Sequence, residues 1–197
     1  MKHFREKIPY RKHIALIYDN DEVRDKVVTD FITQGLKEGE KVLYLFDGKD
    51  IDELKNRLKK HGVDLQNKDL IIQTAQEGYC PSGKFCIEEM NFKTLDFAEK
   101  SKQEGKKGSR GTGEMSWAFD KLKDSSELIM YESNLNEELR KVDYVALCQY
   151  DSRLYSAETI LDVLKTHPFV IIEEKIIKNP FYIEPKIFKD VLKPHPL

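Results

Sequence analysis

Residues 111–117 combine residue types that could hold a small molecule. The segment contains two glycines, which let a backbone approach a bound group closely, and the carboxylate of Glu114 follows them at once. The only tryptophan of the chain, Trp117, adds an aromatic surface close to that carboxylate. This combination suits a small, partly apolar ligand or a cation, and the alternative is a tight turn with a core tryptophan. The third glycine of a dinucleotide-binding fingerprint is missing.

The turn after the first predicted strand has the wrong charge for a phosphate site. A strand-like apolar run begins at His13 and leads into an amphipathic helix predicted for residues 22–37. Nucleotide-binding α/β proteins place a glycine-rich loop at this junction, where its N–H groups bind phosphate. Here the junction holds Asp19, Asp21 and Glu22 instead, with the first and last at capping-box spacing. Carboxylates stabilise a helix N-terminus and repel a second anion. We therefore expect the architecture of a nucleotide-binding protein without its phosphate-binding loop.

Polar residues also stand near the end of a later apolar strand. Gln149 and Asp151 follow residues 145–147, so both are expected at the carboxyl rim of the sheet. Cys148 lies between the strand and this rim, and we expect it to be buried and inert. Glu132 is interpreted as a charge on a helix surface.

The histidines and cysteines lack the spacing of a compact metal site. Cys80 and Cys86 are six residues apart, whereas structural zinc sites space paired cysteines by two to four residues and need four ligands. His13 and His167 each stand alone, which is typical of hydrogen-bonded structural histidines, and they converge only if their strand ends are adjacent. We therefore expect no metal, and two inert thiols are favoured over redox-labile or ligand-facing ones. Metal or haem binding through histidine and cysteine is the weakest of the hypotheses.

The composition restricts the partners. The chain has 197 residues and a net charge of −2, which fits one domain and gives no global field to recruit nucleic acid. Residues 102–110 carry four basic side chains, and a solvated turn is favoured over a phosphate contact. No apolar run approaches the roughly 18 residues of a membrane span, and the charged start lacks a signal-peptide core. We expect a cytoplasmic protein that binds neither membrane nor nucleic acid directly.

These residues are positioned by alternating strand and helix patterns. Strands are predicted at 14–18, 41–46, 70–74, 142–150 and 169–172, with 109–119 as a short strand or a functional loop. Helices are predicted at 22–37, after a cap at Asp50, and at 87–103, 125–140 and 158–165. This order predicts a three-layer α/β fold whose mostly parallel central sheet is flanked by helices, with ligands at the carboxyl ends of the strands.

Six segments of the chain together resemble one family. They are residues 13–18, 35–44, 113–118, 131–132, 146–151 and 167–168. In this order they resemble the methanogen/methylotroph sensory domain, abbreviated MEDS, and the similarity covers residues 13–182. The resemblance implies a RecA-like fold, as in circadian-clock ATPases, without the phosphate loop. It also implies sensing of small hydrocarbon derivatives, such as halogenated or methylated compounds, by a domain that occurs alone or fused to DNA-binding or histidine-kinase modules.

The resemblance also indicates candidate site residues. Carried over position by position, it points to His13, Tyr18, Glu114, Trp117, Glu132, Cys148, Tyr150 and His167. Together with the rim argument, it gives the predicted ligand contacts Tyr18, Glu114, Trp117, Gln149, Tyr150, His13 and Glu132. Because the predicted topology puts them near the rim, Tyr18, Glu114 and Trp117 are expected to contribute most. No catalytic residue is predicted, no cofactor is required, and residual nucleotide hydrolysis is left open.

We therefore expect a stand-alone sensor domain at residues 1–182 with a C-terminal extension at 183–197. A small organic ligand would shift residues 105–117 or 79–86 and thereby change the interface with a partner regulator, a kinase or a second copy of the chain. The first alternative is a RecA-like nucleotide-binding protein with an unconventional phosphate site around residues 106–113. The second is a structural partner-binding domain without a polar pocket.

Overall fold

A seven-stranded sheet organises the residues that the structure, a computed structural model, describes, namely 7–48, 50–172 and 175–188. In chain order the elements are β1 (Lys12–Tyr18), α1 (Asp21–Glu38), β2 (Lys41–Phe46), α2 (Ile51–Lys60), β3 (Leu70–Thr74), α3 (Ala75–Tyr79), α4 (Ile87–Gln103), β4 (Ser109–Glu114), a 3₁₀ turn (Met115–Trp117), α5 (Ala118–Lys121), α6 (Ser125–Leu139), β5 (Tyr144–Asp151), α7 (Ala157–Thr166), β6 (Phe169–Ile172), β7 (Lys175–Lys178) and α8 (Pro185–Phe188).

The sheet has the strand order β3-β2-β4-β5-β1-β6-β7. Neighbouring strands are parallel except β6 and β7, which are antiparallel. Helices α1 and α2 pack on one face of the sheet, and α4, α6 and α7 pack on the other. Strands covered on both faces need apolar residues throughout, which explains the continuous apolar runs of β1, β2 and β5. The predicted three-layer α/β fold with a mostly parallel sheet is confirmed.

Helix caps follow the sequence signals with one correction. Asp50 caps α2 as predicted, because its carboxylate accepts hydrogen bonds from the N–H groups of Asp52 and Glu53. In α1 the cap is Asn20 and not Asp19, because the Asn20 side chain accepts from the N–H of Val23. The acidic residues that follow therefore lie inside the first turn, where they face the positive end of the helix dipole.

The basic segment at 102–110 is not simply a solvated turn. Arg110 is fully buried and pairs with Glu40, and Lys106 pairs with Asp69 at 2.7 Å. The residues from Ser109 to Glu114 form β4 in the middle of the sheet, between β2 and β5. The prediction of a switch loop at 105–117 is therefore wrong for this strand. Two of the basic side chains suggested for a phosphate site around 106–113, Lys106 and Arg110, are bound to carboxylates instead.

The chain adds an edge strand that the sequence did not predict. After β6, the predicted last strand, β7 returns antiparallel along its outer side. Part of the predicted C-terminal extension packs onto the domain, since α8 contacts α6 and α7 and Phe188 is buried. Residues 189–197 lie outside the described residues, and the boundary at 182 stays a prediction.

Candidate functional site

The predicted site residues lie on opposite faces of the sheet. Side chains alternate along β5, so Cys148 and Tyr150 face α6 while Gln149 faces the α1 side. The same alternation on β1 turns His13 toward α6 and Tyr18 toward α1. The sheet therefore separates Tyr18, Glu114 and Gln149 on the α1 side from His13, Glu132 and Tyr150 on the α6 side.

Four residues form a compact group on the α6 side, which we call the buried cluster: His13, Glu132, Cys148 and His167. All four are buried, and their nearest ligand-type atoms lie within 4.8 Å of one another. The Oε2 atom of Glu132 lies 3.0 Å from Nε2 of His13 and 3.6 Å from Nε2 of His167. Because β1 lies between β5 and β6, the strand ends are adjacent and the two histidine rings come within 4.0 Å of each other.

Glu132 is the central charge of the buried cluster. The sequence interpretation of Glu132 as a helix-surface charge is wrong, because its side chain is fully buried on the inner face of α6. Its Oε1 accepts a 2.6 Å hydrogen bond from the Tyr150 hydroxyl. Burial alone would raise the pKa of Glu132, but the hydrogen bond from His13, the two nearby imidazoles and the hydrogen bond from Tyr150 outweigh it and hold the pKa below its usual value.

The neighbours of Glu132 carry the opposite perturbations. Burial, reinforced by the nearby carboxylate, raises the pKa of the Cys148 thiol and of the Tyr150 hydroxyl well above their usual values. Burial and the proximity of His13 lower the pKa of His167 to about 3. The cluster therefore contains a carboxylate that stays ionised and an imidazole that stays neutral across the physiological range.

A second polar group lies on the α1 side at the carboxyl ends of the strands. Glu114 is buried there and accepts a 2.6 Å hydrogen bond from the hydroxyl of Tyr44. Arg24, in the first turns of α1, lies 4.0 Å from the same carboxylate oxygen and 5.4 Å from the ring centroid of Tyr18. Burial raises the pKa of Glu114 against these interactions. Gln149 pairs with Thr112 on this face at 2.8 Å.

Trp117 belongs to neither polar group. It is buried just beyond the end of β4, where its ring stacks on Tyr79 at a centroid distance of 4.7 Å and contacts Phe85 at 4.9 Å. The indole nitrogen has no hydrogen-bond partner among the described residues. Its position favours a structural role for the ring beside the cavity described next.

A cavity of about 330 Å³ lies between the α6-side face of the sheet and helices α3, α4 and α6, and we call it the α4 cavity. Most of its wall is apolar or aromatic, with Leu43, Leu45, Tyr79, Met90, Phe97 and Tyr131 among the lining residues. Cys148 also lines it, so the α4 cavity and the buried cluster share one side chain. The cavity extends along β2 from Lys41 to Leu45, and so it lies on the sheet face as well as at the carboxyl rim.

The floor of the α4 cavity depends on the two glycines of β4. A Cβ atom at Gly111 would lie 1.8 Å from the hydroxyl of Tyr144, and one at Gly113 would lie 2.0 Å from the hydroxyl of Tyr79. Glycine is therefore needed here for close packing of tyrosines over the strand rather than for an unusual backbone angle. The sequence argument was right that these glycines allow a close approach, although the observed approach is that of protein side chains.

Charged residues surround the mouth of the α4 cavity. Lys41 at the start of β2 pairs with Glu104 at the end of α4 at 2.5 Å. One turn earlier on α4, Lys100 pairs with Asp96 at 2.7 Å. These pairs leave an apolar interior behind a polar rim, which is the arrangement of a small-molecule site.

Sequence reasoning missed residues that support the site. Asn136 donates from its amide nitrogen to the carbonyl of Thr166 at 2.7 Å, and its oxygen faces Nδ1 of His13 at 3.1 Å. Its position four residues after Glu132 would have placed both on one face of a helix. Arg24 was also missed, although its place after the acidic turn was visible. The lining of the α4 cavity had no local signal.

Comparison with known proteins gives a consistent result. The family model described as MEDS, "MEthanogen/methylotroph, DcmR Sensory domain", matches residues 12–168. The transcriptional repressor DcmR of Methylorubrum extorquens (strain DSM 6343 / CIP 106787 / DM4) is 28% identical over 161 residues. These residues are 81% of this chain and 59% of that protein, so the chain spans less than two thirds of the length of this relative.

Two solved structures share the fold. The flagellar accessory protein FlaH from Methanocaldococcus jannaschii has a TM-score of 0.58 and 9% identity, and the similarity covers 86% of this chain and 76% of FlaH. An ATPase from the type III secretion system of pathogenic bacteria has a TM-score of 0.52 and 11% identity, over 84% of this chain and 52% of that one. At these identities the similarity shows a RecA-like fold alone. Among the described residues, none of the helices has the length and apolar character to span a membrane.

Proposed function

Because the chain belongs to the MEDS family of sensory domains, we propose that it binds a small, mainly apolar organic molecule in the α4 cavity and passes this signal to a partner protein or to a second copy of itself. The family gives the chain a sensory or regulatory role. The ligand class and the route of the signal are the parts proposed.

The α4 cavity is the observation that carries this proposal. Its volume of about 330 Å³ is at the lower end of the range for small-molecule sites and suits a compact ligand. The wall combines aliphatic side chains with the rings of Tyr79, Tyr131 and Tyr144, and the thiol of Cys148 is a polar contact at the floor. Halogenated and methylated hydrocarbons fit this chemistry, because they need apolar and polarisable contacts and few hydrogen bonds.

The seven predicted contacts support the proposal to different degrees. Glu132, His13 and Tyr150 lie behind Cys148, so they act on a ligand through that side of the cavity. Trp117 supports the Tyr79 wall by stacking. Tyr18, Glu114 and Gln149 lie on the opposite face, and we propose that they stabilise the carboxyl ends of the strands and do not contact this ligand.

Nucleotide binding is supported by the fold alone. Where RecA-like ATPases bind phosphate, Arg153 is held between Asp21 and Asp151 at 2.9 and 2.6 Å. A phosphate at this turn would meet carboxylates whose cation is already paired. We therefore propose a non-enzymatic domain. A thermal-shift measurement with ATP or GTP and magnesium checks this, and a clear rise in melting temperature would favour the nucleotide alternative.

The ligand proposal is tested by filling the cavity. Ala146 lines the α4 cavity and Val145, next to it on β5, faces the other way.

The ligand is first identified by native mass spectrometry of protein purified from its own host. A thermal-shift screen of halogenated and methylated compounds follows. A ligand at one hundred times its Kd adds about 2.7 kcal/mol, which corresponds to a melting-temperature rise of roughly 5–11 °C at about 2–4 °C per kcal/mol.

The variants Ala146→Leu and Val145→Ile separate cavity filling from general repacking. We expect Ala146→Leu to remove the ligand-induced shift while the protein stays folded, and Val145→Ile to keep the shift. If Ala146→Leu responds to the ligand as the unmodified protein does, the ligand binds elsewhere and the assignment of this cavity is wrong.

A further inference from the structure

We propose that the buried cluster of His13, Glu132, Cys148 and His167 binds one divalent transition-metal ion, with zinc as the best fit. The proposal concerns the cluster alone and does not depend on the organic ligand of the α4 cavity. The sequence predicted no metal site because it considered cysteines that are close along the chain. These four residues lie on or beside four different elements, and only the fold brings them together.

Four of the six distances between the ligand-type atoms are close to those of tetrahedral coordination. Bonds of about 2.0–2.3 Å from a central zinc ion to nitrogen, oxygen and sulfur place neighbouring ligands about 3.3–3.8 Å apart. The thiol of Cys148 lies 3.4 Å from Nε2 of His13 and 3.6 Å from Oε2 of Glu132. The same carboxylate oxygen lies 3.0 and 3.6 Å from the two imidazole nitrogens. The two remaining distances, from His167 to His13 and to Cys148, are within 4.8 Å. Binding one ion therefore requires the 3.0 Å contact to widen slightly and His167 to move slightly toward the other three ligands.

The hydrogen bonds around the cluster orient both imidazoles toward this centre. Nδ1 of His167 donates to the carbonyl of Val163 at 2.8 Å, which leaves Nε2 as the atom with a lone pair. That Nε2 is buried and makes no hydrogen bond within the described part of the chain. Nδ1 of His13 faces the amide oxygen of Asn136, whose nitrogen is committed to backbone carbonyls. Metal-ligating histidines are held in this way, with the second ring nitrogen donating to an oxygen.

The charges also balance in a fully buried site. A carboxylate from Glu132 and a thiolate from Cys148 contribute two negative charges, and two neutral imidazoles contribute none. A divalent ion makes the total zero, which removes the large cost of burying an unpaired charge. Ligation requires the Cys148 thiol to lose its proton, and the ion supplies the charge that stabilises the thiolate.

The donor set selects the kind of metal. Two imidazoles, one thiolate and one carboxylate suit zinc and other first-row transition ions, whereas magnesium and calcium take oxygen ligands. Cys148 also lines the α4 cavity, which gives an ion a route into the cluster. Since the chain itself supplies four ligands, the site matches the closed pattern of structural zinc.

Cobalt titration of the full chain tests the proposal. Metal content is first measured by elemental analysis, and chelator-treated protein is then titrated with Co²⁺. We expect one equivalent to bind with the visible bands of tetrahedral cobalt and a near-ultraviolet thiolate-to-cobalt band, and zinc to displace it. If the unmodified protein binds no Co²⁺ or Zn²⁺ at one equivalent, the proposal is overturned without any variant.

Variants then locate the ion. Cys148→Ala should remove the thiolate-to-cobalt band, while the controls Cys80→Ala and Cys86→Ala keep it. Asn136→Ala retains all four ligands but loses the group that orients His13, so we expect about 10–100-fold weaker binding with the same spectrum. A thiolate band that persists in Cys148→Ala and disappears in a control would place the ion elsewhere. Circular dichroism of each variant shows whether it is folded. If a variant is unfolded, the cobalt titration of the unmodified protein alone decides whether the metal site exists.

Discussion

Replacing Arg110 by methionine is expected to reduce the free energy of unfolding by about 3–5 kcal/mol. The Arg110 side chain is fully buried beneath α1, and its Nε donates to Glu40 at 2.5 Å. Its Nη1 donates to the carbonyl of Phe31 at 2.9 Å, and the guanidinium lies 4.8 Å from the centroid of that residue's ring. Methionine keeps much of the apolar stem but leaves the carboxylate of Glu40 buried without its cation.

The expected loss of unfolding free energy comes from the unpaired, buried carboxylate of Glu40 rather than from the strength of the ion pair between Arg110 and Glu40. Removing one partner of a buried ion pair costs several kcal/mol, whereas replacing both partners by apolar residues is often close to neutral. The double variant Glu40→Leu with Arg110→Met should therefore be more stable than Arg110→Met alone. The difference between the double variant and the sum of the single ones measures the coupling directly.

Urea denaturation followed by circular dichroism measures these free energies, with the m-value checked for two-state behaviour. Lys106→Met is the matched control, because Lys106 pairs with Asp69 at a partly exposed site. We expect that control to lose about 1 kcal/mol or less. If Arg110→Met costs no more than Lys106→Met, the reasoning about buried charge is refuted.

Three further predictions concern packing, pH and thiol access. Gly113→Ala should displace the Tyr79 hydroxyl and destabilise the protein by about 1–3 kcal/mol. It should also change the fluorescence of the only tryptophan, and an unchanged emission spectrum would contradict this packing. The Arg153 side chain lowers the pKa of Asp151, so Asp151 stabilises the fold above about pH 4 and this contribution disappears as the pH falls through the lowered value. Urea midpoints of the unmodified protein and Asp151→Asn should therefore differ at pH 7 and converge in acid. Native alkylation followed by mass spectrometry should label the exposed Cys86 quickly and the buried Cys80 only after denaturation, whereas fast labelling of Cys80 would contradict the fold.

The sequence predicted elements best where apolar periodicity was strong. β3 at Leu70–Thr74 and α4 at Ile87–Gln103 match their predictions to the residue. By contrast, Ser109–Glu114 contains no large apolar side chain, so its sequence pattern fits a short strand or a functional loop equally well. It becomes a central strand because β2 and β5 hydrogen-bond to it on both sides, and because its glycines admit the tyrosines that pack over it.

The candidate site was only partly visible in the sequence. The family resemblance identified His13, Glu132, Cys148 and His167, but the local pattern placed Glu132 on a helix surface. The spacing of residues along a helix does not show whether a carboxylate is exposed to solvent or buried with hydrogen-bond donors from distant parts of the chain. The contact between Cys148 and His13 joins residues 135 positions apart, and this distance depends on the order of strands in the sheet. Spacing rules for metal ligands consider near neighbours and therefore cannot detect it.

Helix α6 links the α4 cavity and the buried cluster mechanically. Tyr131 and Leu135 line the cavity, while Glu132 and Asn136, one position further along each turn, belong to the cluster and its support. Because the residues of each pair are four positions apart, the two pairs lie on neighbouring faces of the same helix. Widening the cavity by shifting α6 would also move Glu132 away from the sheet. A shift of α6 that widens the cavity would therefore also break the contacts of Glu132 with His13 and Tyr150.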